Sequence, residues 1–168
     1  FNAGSCYYQL WAAEAQKEKA AQVAQEMVDT LQSDDPENYF LLGSTLYDIG
    51  KYEDALKSYD KVASLNSLYA SGDIHVHRLR CHIQMKKWDE AEKFAKEITE
   101  KHANNARVFN HVKYVLAKEV YQDRKQYDKA IQAYKDIYVK YPWYGWWASF
   151  DGAGRRIIEC YQAKNEPT

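Results

Sequence analysis

The chain has 168 residues, with 23 Lys and Arg against 24 Asp and Glu, for a net charge of −1. Both signs are interspersed, so there is no basic footprint for nucleic acid or an anionic membrane. Seven Gly and three Pro, in a chain rich in Ala, Lys, Glu, Gln and Tyr, argue for helix and against a sandwich or barrel. No apolar run reaches the length of a membrane span.

The first stretch, "FNAGSCYYQLW", has no initiator Met and no basic segment followed by an apolar one. A piece of a longer protein is therefore expected. Cys6, Cys81 and Cys160 are odd in number and far apart, which does not suggest a disulfide framework. A cytoplasmic setting is the default expectation, with the bacterial envelope as the alternative.

Further along, three stretches repeat one another: "YEDALKSYDKV" at 52–62, "WDEAEKFAKEI" at 88–98 and "YDKAIQAYKDI" at 127–137. Each carries an Ala three residues after an aromatic: Tyr52 and Ala55, Trp88 and Ala91, Tyr127 and Ala130. The Ala positions are 36 and 39 residues apart, a period that predicts a solenoid of helix pairs. Before the first copy, "NYFLLGSTLYDIGKY" predicts a helix, a short turn at Gly50 and a second helix. Gly43 and Ala55 are small enough for close helix approach, and Tyr52 and Tyr59 fill the groove between the two. One such pair cannot bury its apolar face alone, so neighbours are required.

These residues resemble the tetratricopeptide repeat family, whose 34-residue unit carries an aromatic, Leu-Gly, a Tyr, then Ala, an aromatic and a closing Pro. Residues 36–69 match through Tyr39, Leu42, Gly43, Leu46, Gly50, Tyr52, Ala55 and Tyr59. Residues 111–144 match through Tyr114, Ala117, Tyr121, Tyr127, Ala130, Tyr134 and Pro142, with Lys118 where a Gly is expected. Residues 72–105 match in their second helix only, because His75, Arg78 and His82 stand at apolar positions. An N-terminal unit at 2–35 keeps Trp11, Ala21 and Val28. The resemblance implies an all-α, right-handed solenoid of antiparallel helix pairs, with about four repeats and a terminal helix at 147–164, forming one domain over 1–168.

The family's groove positions imply a trough that binds a partner peptide or helix. On this chain they fall at Glu37, Phe40, Ser44 and Tyr47, then Asp73, Val76, Arg80 and Ile83, then Val112, Val115, Glu119 and Gln122. In the terminal helix, Gly154 takes the small-residue position and Phe150 and Ile157 the core positions. Ala148, Asp151, Arg155 and Ile158 then face the trough. Ile157 and Tyr161 are left on an apolar face through which self-association is expected. The family's clamp for a chaperone C-terminal carboxylate needs Lys, Asn and Arg at set positions. Cys6, Leu10, Leu41, Asp73 and His77 occupy them in one register, and Phe40, Ser44, His77, Val112 and Leu116 in the next. Neither register fits.

Catalytic and metal chemistry find little support. There is no Gly-rich phosphate loop or nucleophile elbow. Acids sit four residues before Lys, as in Asp89–Lys93 and Glu92–Lys96, which is the pattern of a solvated helix face. In "HVHRLRCH" at 75–82, His77 and Cys81 share one helix face, but no third and fourth ligand accompany them. "YPWYGWWASFDGAG" at 141–154 concentrates Trp and Tyr, as interface hot spots and packed helix ends both do. The expectation is a protein-interaction scaffold without enzymatic activity, cofactor or metal. Its alternatives are a homo-oligomerising module and an accessory domain with a metal site on the helix at 74–83.

Overall fold

In the computed structural model, residues 16–31, 34–142 and 150–165 are described, and among them there are helices and turns but no strand. The chain divides into two compact units, Phe1–Ala70 and Ser71–Thr168. The first contains α1 (Lys17–Leu31), α2 (Pro36–Asp48) and α3 (Tyr52–Leu65). The second contains α4 (Ile74–Gln84), α5 (Trp88–Lys101) and α6 (Ala106–Val115), which runs on into a π-helical segment at Leu116–Gln122. It continues with α7 (Tyr127–Lys140), a π-helical turn at Phe150–Gly154 and α8 (Arg155–Asn165). Trp11 and the Trp cluster at 143–149 lie outside the described residues.

Local chemistry sets the helix starts. Asp35 precedes Pro36, a residue suited to a first helical turn, and its carboxylate accepts the Glu37 amide at 3.0 Å. Asn105 caps α6 by accepting the Val108 amide at 3.1 Å.

One turn occurs three times. Gly50, Lys86 and Lys125 all have left-handed backbone, with φ of 80°, 58° and 60°. The next residue donates its amide to the carbonyl five back: Lys51 to Leu46 at 2.9 Å, Lys87 to His82 at 3.0 Å and Gln126 to Tyr121 at 2.8 Å. This bond closes the end of the first helix and aims the second back along it. Only the first copy uses the residue type that enters the left-handed region without strain. Lys86→Gly and Lys125→Gly should each raise stability by about 0.5–1 kcal/mol. That is a left-handed penalty of roughly 1–2 kcal/mol relieved, less the entropy that Gly adds to the unfolded chain. Gly50→Ala should do the reverse, since open space surrounds its Cβ position and the effect is purely conformational. Urea midpoints of the three variants check the signs.

Inside each pair, a small residue meets a large one. A Cβ on Gly43 would lie 2.7 Å from the Tyr59 ring, so the aromatic occupies the space that Gly43 leaves. Leu42 packs with Ala20 and Ala24 of α1, and Val28, Leu41 and Leu46 border the cluster. In the second unit, the positions matching Gly43 and Tyr59 hold Leu79 and Ala95, both buried in one cluster with Val76, Ala91 and Val112. Large and small have changed places. In the next pair the small residue is again on the first helix: Ala117 is buried with Ala130, Tyr134 and Ile137. The expected position, Lys118, is half-buried instead. Its backbone lies in the π segment, where each wider turn holds one residue more than an α-turn and rotates the helix beyond it. The same displacement recurs in the terminal segment. Ala153, at the end of the second π turn, is fully buried in the place expected for Gly154, and α8 packs on α7 through Cys160.

Candidate functional site

The first helices of the second unit, α4 and α6, are tied together by polar side chains along one seam. Asp73, just before α4, accepts the Arg107 guanidinium through both carboxylate oxygens and His111 Nδ1 at 2.9 Å. Two turns further along α4, Arg80 donates Nε at 3.1 Å and Nη2 at 2.9 Å to one oxygen of Glu119, which lies in the π segment. These side chains are neither buried nor free: Asp73 is 23% exposed and Arg80 39%. Ion pairs so placed are worth up to about 1 kcal/mol each, so their larger effect is to hold charged groups in fixed positions on a reachable surface.

Burial alone would raise the Asp73 carboxyl, but hydrogen bonds from Arg107 and His111 outweigh it and hold the group below its ordinary 3.8. His77 lies between Asp73 and Arg80 on α4, and burial together with the Arg80 charge lowers it from 6.5. His102 is lowered by its burial and by Lys101. All three shifts are depressions, so each contributes stability above the unfolded value that is lost as pH falls through the folded value. Thermal stability should therefore decline in two stages, first below pH 6.5 as the histidines charge, then below pH 3.8 as Asp73 is neutralised. Melting curves of the wild type and His77→Gln test this. The first stage should be shallower in the variant.

The expected groove positions divide into three groups. Asp73, Arg80 and Glu119 are together in the seam. Val76, Ile83, Val112 and Val115 are buried in the hydrophobic core, at 2%, 6%, 0% and 2% exposure. Their placement in the trough is corrected: they pack in one core cluster with Leu79, Ala91, Ala95 and Ile98, so they are buried between helices of the second unit. Gln122 is also directed inward, accepting the Tyr134 hydroxyl at 2.9 Å. In the first unit, Glu37 accepts the Tyr69 hydroxyl. Phe40 packs on the rings of Tyr59 and Tyr69, at centroid distances of 5.8 and 5.1 Å. Ser44 accepts the Tyr59 hydroxyl at 3.3 Å, and Tyr47 meets Tyr52 edge-on. Arg155 is exposed on α8, and Asp151 lies in the π turn before it. The groove pattern does not single out Arg107, His111 or His77. The spacing of Arg107 and His111, one turn apart on α6 with Asp73 at the start of α4, is the available signal.

The polar residues of α4 that stand at apolar repeat positions also have partners. His75 meets the His102 ring at a tilt, with centroids 4.8 Å apart, and Arg78 lies over the Phe94 ring at 4.7 Å. Cys81 is buried, and no group of three or more His, Cys, Asp or Glu suited to a metal ion occurs among the described residues.

Helix pairs joined by one recurring turn and stacked through small-to-large contacts define a tetratricopeptide-type helical repeat protein. The chain belongs to the family described as anaphase-promoting complex, cyclosome, subunit 3, whose model matches residues 13–98. No curated protein matches the sequence. Among solved structures, "MamA 41-end from Desulfovibrio magneticus RS-1" is similar, with a TM-score of 0.57, 18% identity and 99% of each chain covered. "MamA RS-1 ArsTM double mutant" is similar at the same TM-score, with 17% identity and 98% of each chain covered. At these identities the likeness concerns the fold.

Proposed function

We propose that this chain is a non-catalytic protein-interaction scaffold that holds a partner segment against its first helices. The observation that carries the reading is the polar seam of α4 and α6. Asp73, Arg107, His111, Arg80 and Glu119 are fixed by one another while staying partly open to solvent. Such a surface offers both charge signs at set positions, which suits an extended peptide or helix with matching polar groups rather than a polyanion.

Affinity capture followed by mass spectrometry tests this, using the wild type beside the exchanged pair Arg80→Glu with Glu119→Arg. The exchange keeps an ion pair across the helices but inverts the charge pattern that a partner meets. A bound protein should lose at least ten-fold in affinity on the exchanged variant, with the melting temperature little changed. A partner held equally by both variants would remove the seam from the binding site. Exposed Ile158 and Tyr161 on α8, and Tyr138 and Val139 on α7, support a second reading in which the chain self-associates through this end. In that case light scattering would give a concentration-dependent mass above 19.7 kDa.

A further inference from the structure

A second surface lies on the other side of α6. Arg107 and His111 serve the seam; Phe109 and Lys113, two residues further on in each case, leave the helix about 200° around. There, α5 and α7 flank a cleft of about 660 Å³ whose floor includes Phe109, Leu116 and Tyr121. Small residues of the α5 side, Ala95, Thr99 and Ala103, leave it open. Lys93, Lys96, Lys113 and Lys140 line it against Glu92 and Glu100.

The charges are not balanced. Glu92 is neutralised from outside by Lys129 at 3.1 Å, while Lys113 pairs with Asp136 and Lys93 with Glu97. Lys96 and Lys140 have no carboxylate in ion-pair range among the described residues. Lys140 rests its ammonium over the Phe109 ring, 4.3 Å from the centroid, with Lys113 also near that ring at 5.9 Å. With Glu100 on the same rim, the cleft keeps a surplus of one positive charge beside a largely buried apolar floor. The first unit provides a contrast. Its cleft between α1 and α3, about 530 Å³, is lined by Leu42, Leu46 and Ile49, with Glu18 and Asp54 matching Lys51 and Lys57. It has neither an aromatic floor nor surplus charge.

We infer that the α5–α7 cleft is a docking site for an acidic amphipathic helix of a partner protein. From Lys93 to its end at Lys101, α5 spans about 12 Å, the length of roughly two helical turns. A bound helix would place apolar side chains at i, i+4 and i+7 over Phe109, Leu116 and Tyr121. Its Asp and Glu would meet Lys96 and Lys140. This site is separate from the α4–α6 seam, so either can fail without the other.

The test uses the full chain and a displayed library of random 12-residue peptides, panned at low ionic strength. Enriched sequences should combine acidic residues with apolar ones at helical spacing. Their retention should fall at least ten-fold on Lys96→Glu/Lys140→Glu and be unchanged on Arg80→Glu. Amide shifts on adding a selected peptide should centre on Ala95, Thr99 and Ala103. Lys96→Ala/Lys140→Ala, with exposed positions and milder chemistry, repeats the test if charge reversal perturbs the fold. No enrichment of acidic peptides, equal retention by the lysine variants, or shifts confined to the α4–α6 seam would overturn the inference.

Discussion

Tyr59→Ala should destabilise the first unit by about 3–5 kcal/mol, and adding Gly43→Leu should recover a large part of that loss. The ring of Tyr59 fills the space over Gly43 so closely that one added carbon would lie 2.7 Å from it. Gly43→Leu alone should therefore overpack the contact by about 3 kcal/mol. Together, the two substitutions reproduce the arrangement already present at Leu79 and Ala95, where the first helix supplies the bulk. The coupling between them should reach about 2 kcal/mol in a double-mutant cycle followed by urea denaturation. Strict additivity would show that the two layouts are not interchangeable solutions to the same packing problem.

A comparably large effect is expected at the repeated Ala. Ala55, Ala91 and Ala130 are fully buried, each one turn into the second helix of its pair. Leu at any of them inserts three carbons where two helices meet and should lose about 1–3 kcal/mol. Ala130→Leu should lie at the top of that range. Its cluster contains Tyr114 and Tyr134, whose rings meet edge-on at 5.6 Å and can yield little. A loss of about 3 kcal/mol corresponds to a fall in Tm of roughly 6–12 °C for a chain of this size. Ala91, set among aliphatic side chains that can change rotamer, should be less sensitive. Equal tolerance at all three positions would contradict the burial on which the repeat alignment rests.

The Ala positions were legible because a helix crossing admits only small side chains, and that demand recurs at each pair. The turns were partly legible. Gly50 announces a left-handed residue, whereas Lys86 and Lys125 adopt the same conformation with no residue type to mark it. Among the expected groove positions, surface placement was legible where the residue is charged. Asp73, Arg80 and Glu119 cannot enter an apolar core without large desolvation cost, so their place at the surface follows from their chemistry. Val76, Ile83, Val112 and Val115 carry no such constraint. Which face they take depends on how the next helix packs over them. Nor does any residue announce a π turn, so Ala117 and Ala153, rather than Lys118 and Gly154, hold the buried positions. Periodic reading assumes a uniform helical step, and it slips wherever that step widens.

The widened step at Leu116–Gln122 also shows how an array of this kind tolerates unequal repeats. From Gly50 to Lys86 the chain advances 36 residues, and from Lys86 to Lys125 it advances 39, yet the same turn and the same buried Ala recur after both intervals. Across the longer interval the connection shortens, from 66–73 to 102–105, while the first helix lengthens by more than that through its π segment. A single-residue insertion there need not turn every later helix out of phase, because it can be stored as a local bulge. Length differences can then accumulate between modules while their mutual contacts persist, which gives a repeat lineage room to drift in length without abandoning its stacking.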